Sequence, residues 1–230
     1  MSRRHDTSVF INNEQRRELL RGVFTGYYHQ SGSKTVIFDT NRLWCARLAA
    51  LAELFPQARV ICCVREVPWI IDSIERQAQR NPFELSGLFD YDPNTTVYTR
   101  AARVAGTDGM VGYALDALRE ACFGPHAHRL VLLDYEALTK APANAMATLY
   151  QLLGEPDFDH DYNRVAYEAD VFDAGLGSPG LHRVQGQVEW RERPTILPPG
   201  LFERFIGDSF WREPHSRLKG IPTILWRSEV

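Results

Sequence analysis

The sequence lacks any cysteine pair at a redox or zinc spacing. Its four cysteines, Cys45, Cys62, Cys63 and Cys122, form no CxxC. Cys62 and Cys63 are adjacent in an apolar stretch, where strand geometry turns them to opposite faces and prevents their pairing; buried thiols are expected. Long apolar runs are also missing. Nothing approaches the ~20 residues that span a bilayer, and the polar start MSRRHDTS is not followed by the apolar segment of a secretory signal. Together these absences predict a chain with no membrane partner in a reducing, cytoplasmic compartment. Positive charge is not in excess either. A net charge of −3 speaks against a general nucleic-acid binder and confines any basic site to a local cluster. The seven histidines show no metal-ligand spacing, and neither a Ser–His–Asp order nor a nucleophile elbow is present. No metal site is expected.

What is present supports a folded α/β chain. Hydrophobic residues make up 44% of the 230 positions, enough for a sizeable core, and one domain over residues 1–230 is expected. Residues 1–8 are polar and are expected to fray. Asn12 is a candidate N-cap, and Leu19, Leu20, Val23 and Phe24 carry helical spacing up to Tyr28. Thr35 to Asp39 is a short β-rich run. Trp44, Leu48, Leu51 and Phe55 then lay one stripe along a helix that starts near Asn41 and stops at Pro56. Arg59 to Val64 is a continuous apolar strand, read as buried on both faces and therefore as part of a parallel sheet. A helix follows from Pro68 to Arg80, ended by Asn81-Pro82. Residues 82–107 give no clear pattern. A helix from Met110, closed by Gly124-Pro125, leads to a third strand, Leu130 to Leu133, and a helix from Pro142 ends at Gly154. Strands alternating with helices predict a mainly parallel sheet flanked by helices. The loop-rich section 155–230 is read as a C-terminal wrap packing on that sheet.

In an open parallel sheet, ligands bind beyond the carboxyl ends of the strands. Three polar groups fall at such ends: Asp39 after TVIF, Arg65 after VICCV, and Asp134-Tyr135-Glu136 after LVLL. A guanidinium at a strand end grips a phosphate through two parallel donors. The N-terminus of the helix that follows adds backbone donors and a positive dipole end. Ser73, eight positions after Arg65, brings a hydroxyl, and Trp69, Ser73 and Arg76 or Gln77 share one helical face. Asp39 has two readings, general base or simple helix cap. Tyr135 has two as well, a nucleotide contact or a core tyrosine. Arg183, Arg191 and Arg193 lie in the Gly/Pro-rich tail, either folded over an anion or forming a solvated basic loop. The stretch His29 to Thr35 (HQSGSKT) imitates a phosphate loop, but with a helix before it and a strand after it the order is reversed, and it is rejected.

These residues resemble a known family. LFPQARVICCVREVPWIIDSIERQ is similar to the strand–Arg–helix–Ser element of sulfotransferases that use 3′-phosphoadenosine 5′-phosphosulfate (PAPS), especially bacterial members. The likeness extends from about Val9 to about Pro199. It implies a P-loop-like three-layer sandwich and PAPS as the sulfuryl donor. It also implies transfer to a hydroxyl or amine of a small-molecule or peptide acceptor. By the resemblance Arg65 and Ser73 hold the donor's 3′-phosphate. RLVLLDYEALTKAP places Tyr135 near the nucleotide, FDTNR supports Asp39 as catalytic base, and LHRV makes Arg183 a cofactor residue. Two departures stand out. Relatives often carry lysine where this chain has Thr40. Nothing before Phe10 supplies the family's opening strand, its Gly/Ser/Thr-rich loop for the 5′-phosphosulfate and the helix after it. Loss of one charge-stabilising donor costs about 100- to 1000-fold in rate. An N-terminally truncated enzyme is therefore the preferred reading, with a degenerate protein that binds nucleotide without turnover as the alternative. A sheet lacking one strand also leaves an edge open for self-association, so a homo-oligomer is a further expectation.

Overall fold

A computed structural model describes residues 10–32, 34, 36–212, 218 and 220–226. The expected fraying of residues 1–8 falls outside the described residues, as do Ser33 and Thr35. The chain divides into two compact units, residues 1–58 and 59–230.

In the first unit, α1 spans Asn13–Tyr27 and α2 spans Leu48–Leu54. Asn12 caps α1 as its side chain predicts. Its Oδ1 accepts from the Gln15 backbone N–H at 2.8 Å, and the Gln15 side chain accepts in return from the Asn12 backbone. Phe24 packs edge-on against Phe55 at 5.1 Å between ring centroids, and Arg17 pairs with Glu53. The single helix expected from Asn41 is broken. Asn41 caps only a turn, accepting from the Leu43 N–H, and a 3₁₀ turn over Cys45–Arg47 precedes α2. The strand expected at Thr35–Asp39 does not form over its described part. Residues 36–39 are irregular, and Val36, Ile37 and Phe38 are exposed. Their β propensity describes side chains that fit a pleated, half-buried surface, and no such surface is offered here.

The second unit is α/β. β1 is Val60–Val64, followed by α3 (Val67–Arg80), α4 (Val97–Ala105) and α5 (Met110–Phe123). β2 is Leu130–Asp134, followed by α6 (Tyr135–Lys140), α7 (Pro142–Leu153), α8 (Asp170–Gly175), α9 (Pro199–Arg204) and β3 (Thr223–Ile224). The strands form one parallel sheet in the order β1-β2-β3, with Val60 opposite Leu130 and Val64 opposite Asp134. All five residues of β2 are buried, as a central strand between two neighbours requires. β1 departs from its expected two-sided burial: Val60, Cys62 and Val64 are buried while Cys63 is exposed. Among the described residues β1 pairs only with β2, and the alternation follows the pleat. None of the four cysteines is in a disulfide.

α7 covers one face of the sheet. Ala145 and Leu149 pack with Val131 and Leu133, and Met146 and Ile224 join them. A larger cluster binds α3, α4 and α5 through Ile71, Ile74, Val104 and Val111. The tail enters that cluster with Leu197, Leu201 and Phe205, so the wrap packs chiefly on helices and also donates β3 to the sheet. Among the described residues no helix is long and apolar enough to cross a membrane.

Candidate functional site

The site follows from strand register. β1 and β2 run parallel with Val64 level with Asp134, so the next residues, Arg65 and Tyr135, emerge side by side beyond the carboxyl ends. Neighbouring strands lie about 4.8 Å apart. Accordingly the Arg65 guanidinium stacks on the Tyr135 ring, 4.1 Å from its centroid. Among the described residues Arg65 makes no hydrogen bond or ion pair, so its fork of donors is open. Partial desolvation pushes its pKa down, and the nearby Arg193 adds to that direction; Tyr135, Asp72 and Glu136 pull the other way. A cation held partly out of water beside a second cation, with no acid bound to it, is set to receive an anion.

α3 begins at the same end of the sheet. Pro68 sits in its first turn, and the N-cap Glu66 gives no side-chain hydrogen bond to the helix. Ser73 is exposed on α3 with no internal partner among the described residues. The residue before it, Asp72, is completely buried. Its Oδ2 receives Arg76 at 2.9 Å and Arg193 at 2.8 Å. Its Oδ1 accepts from the Ile196 N–H at 2.8 Å and the Thr195 hydroxyl at 3.0 Å. Burial alone would raise the Asp72 pKa. The hydrogen bonds from Ile196, Arg76 and Thr195, with the Arg193 charge, hold it below the ordinary carboxylate value. Asp72 thus staples the tail to α3 and sets a second guanidinium near Arg65. Arg193 is therefore no solvated loop residue, which corrects the bland reading of it. Arg191 is exposed and paired with Glu189.

The strand-end acids are already engaged. Asp134 is buried, caps α6 through the Glu136 N–H at 2.7 Å, and accepts from Arg212 Nη2 at 2.7 Å. Arg212 also lies 3.5 Å from Glu136 and 3.6 Å from Glu66. Burial would lower the Arg212 pKa, but these three carboxylates raise it on balance. With its acidic neighbours tied to Arg212, Arg65 keeps its donors. Trp190 of the tail packs against Tyr135 at 6.1 Å between centroids, and Lys140 Nζ lies 4.4 Å over the Trp190 ring. The expected Trp69–Ser73–Gln77 face is split, because Gln77 is buried and its amide donates to the Pro179 carbonyl. Arg183 is exposed, and its side chain has no partner among the described residues.

Asp39 belongs to the first unit, in the irregular segment rather than at a strand end. Its Oδ1 accepts from Trp44 Nε1 at 2.7 Å and its Oδ2 from the Tyr28 hydroxyl. The hydrogen bond to Asp39, then desolvation, push the Tyr28 pKa up to about 12 from an ordinary 10.0. A folded value above the unfolded one means the interaction stabilises the fold fully below about pH 10 and is lost as pH rises through about 12. Alkaline difference titration of the wild type against Tyr28→Phe is expected to show this late phenol, and Asp39→Asn is expected to bring it back towards 10.

A model of the sulfotransferase family matches residues 5–160, well over half of the 230. The chain belongs to the sulfotransferase family. Searches of curated proteins and of solved structures gave no match. The matched stretch contains Asp39, Arg65, Ser73 and Tyr135 and stops short of Arg183 and Arg193. Family membership makes the chain a transferase whose chemistry is sulfuryl transfer. Asp72, Arg193 and Arg212 were not legible as a connected set from sequence. The one local signal was the i,i+4 spacing of Asp72 and Arg76 on α3.

Proposed function

We propose that this sulfotransferase uses PAPS and transfers its sulfuryl group to a hydroxyl or amine of a small-molecule or peptide acceptor. The observation that carries the reading is the open Arg65 fork, stacked on Tyr135 where two parallel strands end and α3 begins. The residues fit a 3′-phosphate. Arg65 supplies two parallel donors, Ser73 an unengaged hydroxyl and Arg193 a further positive charge, and α3 opens without a side-chain cap. Tyr135 and Trp190 offer aromatic surface for an adenine, and Arg183 an exposed charge for the far end of the donor. When bound, PAPS supplies a sulfuryl group on a good phosphate leaving group.

Calorimetric titration of the chain with adenosine 3′,5′-bisphosphate tests the reading. Binding is expected, and it should weaken as salt is raised, because the screening length falls from about 10 Å at 0.1 M to about 3 Å at 1 M. No binding by the folded chain rejects the donor site.

A further inference from the structure

The tail beyond the family match holds an acid–imidazole pair that the donor site does not use. Asp173, in α8, is buried at 1% exposure. Its Oδ1 lies 2.5 Å from His182 Nδ1, and its Oδ2 accepts from the His182 backbone N–H at 2.9 Å. Burial alone would raise the Asp173 pKa, yet the hydrogen bonds from His182 and the Leu181 N–H hold it below the ordinary carboxylate value. Asp173 is therefore ionised and can only accept. The ring nitrogen that meets this acceptor is the donor Nδ1–H, and the tautomer carrying that proton alone has its lone pair on Nε2. That nitrogen has no partner among the described residues, and the His182 side chain is 44% exposed. The Phe172 ring lies 5.6 Å from the imidazole.

The loop carrying this pair is fixed along α3. Pro179 receives donors from Gln77 and Asn81, and Ser178 Oγ shares a hydrogen bond with Ser86 Oγ at 2.5 Å. Further on, Trp190 reaches Tyr135, and Arg193, Thr195 and Ile196 reach Asp72. The tail thus runs back along α3 from Gln77 and Asn81 to Asp72, and His182 lies between those anchors in the chain. Gln77 is one helical turn, about 6 Å, beyond Ser73. His182 is three residues beyond Pro179, a reach of at most about 10 Å. The contacts from α3 to this loop, Gln77 and Asn81, are uncharged, and Asp173 is the carboxylate that meets the ring among the described residues, with Arg183 next in the chain.

We propose that His182 is the proton acceptor of the transfer reaction and that Asp173 is its positioning residue. In the step, the acceptor's O–H bond breaks and its proton goes to His182 Nε2. The acceptor oxygen bonds to sulfur, and the bond from sulfur to the nucleotide phosphate oxygen breaks with its electron pair left on that oxygen. Asp173 holds the reactive tautomer beforehand and balances the imidazolium afterwards.

The inference rests on the PAPS reading, and the experiment separates the two. The full chain is titrated with adenosine 3′,5′-bisphosphate, the ring nitrogens of its histidines are followed by heteronuclear NMR, and transfer from PAPS to 4-nitrophenol is measured against pH. The wild type is expected to bind the bisphosphate and to hold the His182 proton on Nδ1. His182→Gln should keep bisphosphate affinity within about twofold while transfer falls by about 100-fold or more and loses its imidazole-dependent pH limb. Asp173→Asn should still bind the bisphosphate, which reports an intact fold, yet move the His182 proton towards Nε2 and lower transfer. Absence of bisphosphate binding by the wild type rejects the donor reading and this inference with it. Where the bisphosphate binds, three results overturn the base assignment alone: a proton on Nε2 in the wild type, no transfer by the wild type, or a pH profile that survives His182→Gln and moves with Asp39→Asn instead.

Discussion

Asp72→Ala is expected to destabilise the second unit by about 3–5 kcal/mol, the usual loss when one member of a buried charge cluster is removed. Asp72 is fully buried and receives four donors, two of them guanidinium groups. Arg76 and Arg193 are each less than one-third exposed, so solvent screening cannot absorb the loss. Removal strands two cations, the Ile196 N–H and the Thr195 hydroxyl together. In a chain of this size each kcal/mol moves the thermal midpoint by about 2–4 °C. Urea and thermal unfolding measure the effect, and a loss under about 1 kcal/mol would show that the tail is held mainly by Leu197, Leu201 and Phe205. The same carboxylate gives a pH signature. Its folded pKa is depressed, so its contribution is complete above the unfolded value of about 3.9 and fades as pH falls through the lower folded value. Wild-type stability should drop below about pH 4, and Asp72→Asn should remove much of that acid-side slope.

Elements with strong local chemistry were legible in the sequence. VICCV and LVLL read as strands because each is an unbroken apolar run, and Pro68, Pro142, Gly154 and Asn12 marked helix ends that the structure keeps. α4 was missed because its capping box closes on Thr99 rather than on the usual Glu or Gln. α6 follows β2 with no intervening turn, Asp134 ending the strand and capping the helix at once. β3 has two residues, too few for any periodicity to register. The site divides in the same way. Arg65 and Tyr135 were readable because each directly follows a recognisable strand, and register then brings them together. Asp72 and Thr195 are 123 positions apart, and Asp173 meets His182 across a glycine-rich loop. No local pattern encodes such pairings, which appear only once the tail is laid along α3.

Arg65→Ala is expected to weaken adenosine 3′,5′-bisphosphate binding by about 100-fold or more while leaving the fold intact. The two halves of this expectation have one cause. Among the described residues Arg65 has no internal acid and touches Tyr135 through its π face, so truncation strands no buried charge. It also relieves repulsion from Arg193, which together with desolvation already depresses the Arg65 pKa. Stability should therefore change by less than about 1 kcal/mol. The ligand, in contrast, loses a two-pronged contact to phosphate. Charge-assisted hydrogen bonds are worth about 1.5–3 kcal/mol each, and every 1.4 kcal/mol is roughly tenfold in affinity. Arg65→Lys should fall between, since a lysine keeps the charge but has neither the planar fork nor the flat face that stacks on Tyr135. Arg212→Ala is the opposite case: it strands the buried Asp134, and its main effect should be on stability. Calorimetry paired with thermal unfolding of these three variants reads both quantities. If Arg65→Ala binds as tightly as the wild type, the phosphate lies elsewhere; if it unfolds as readily as Arg212→Ala, the open fork is a structural cation and the site must be sought away from the β1–α3 junction.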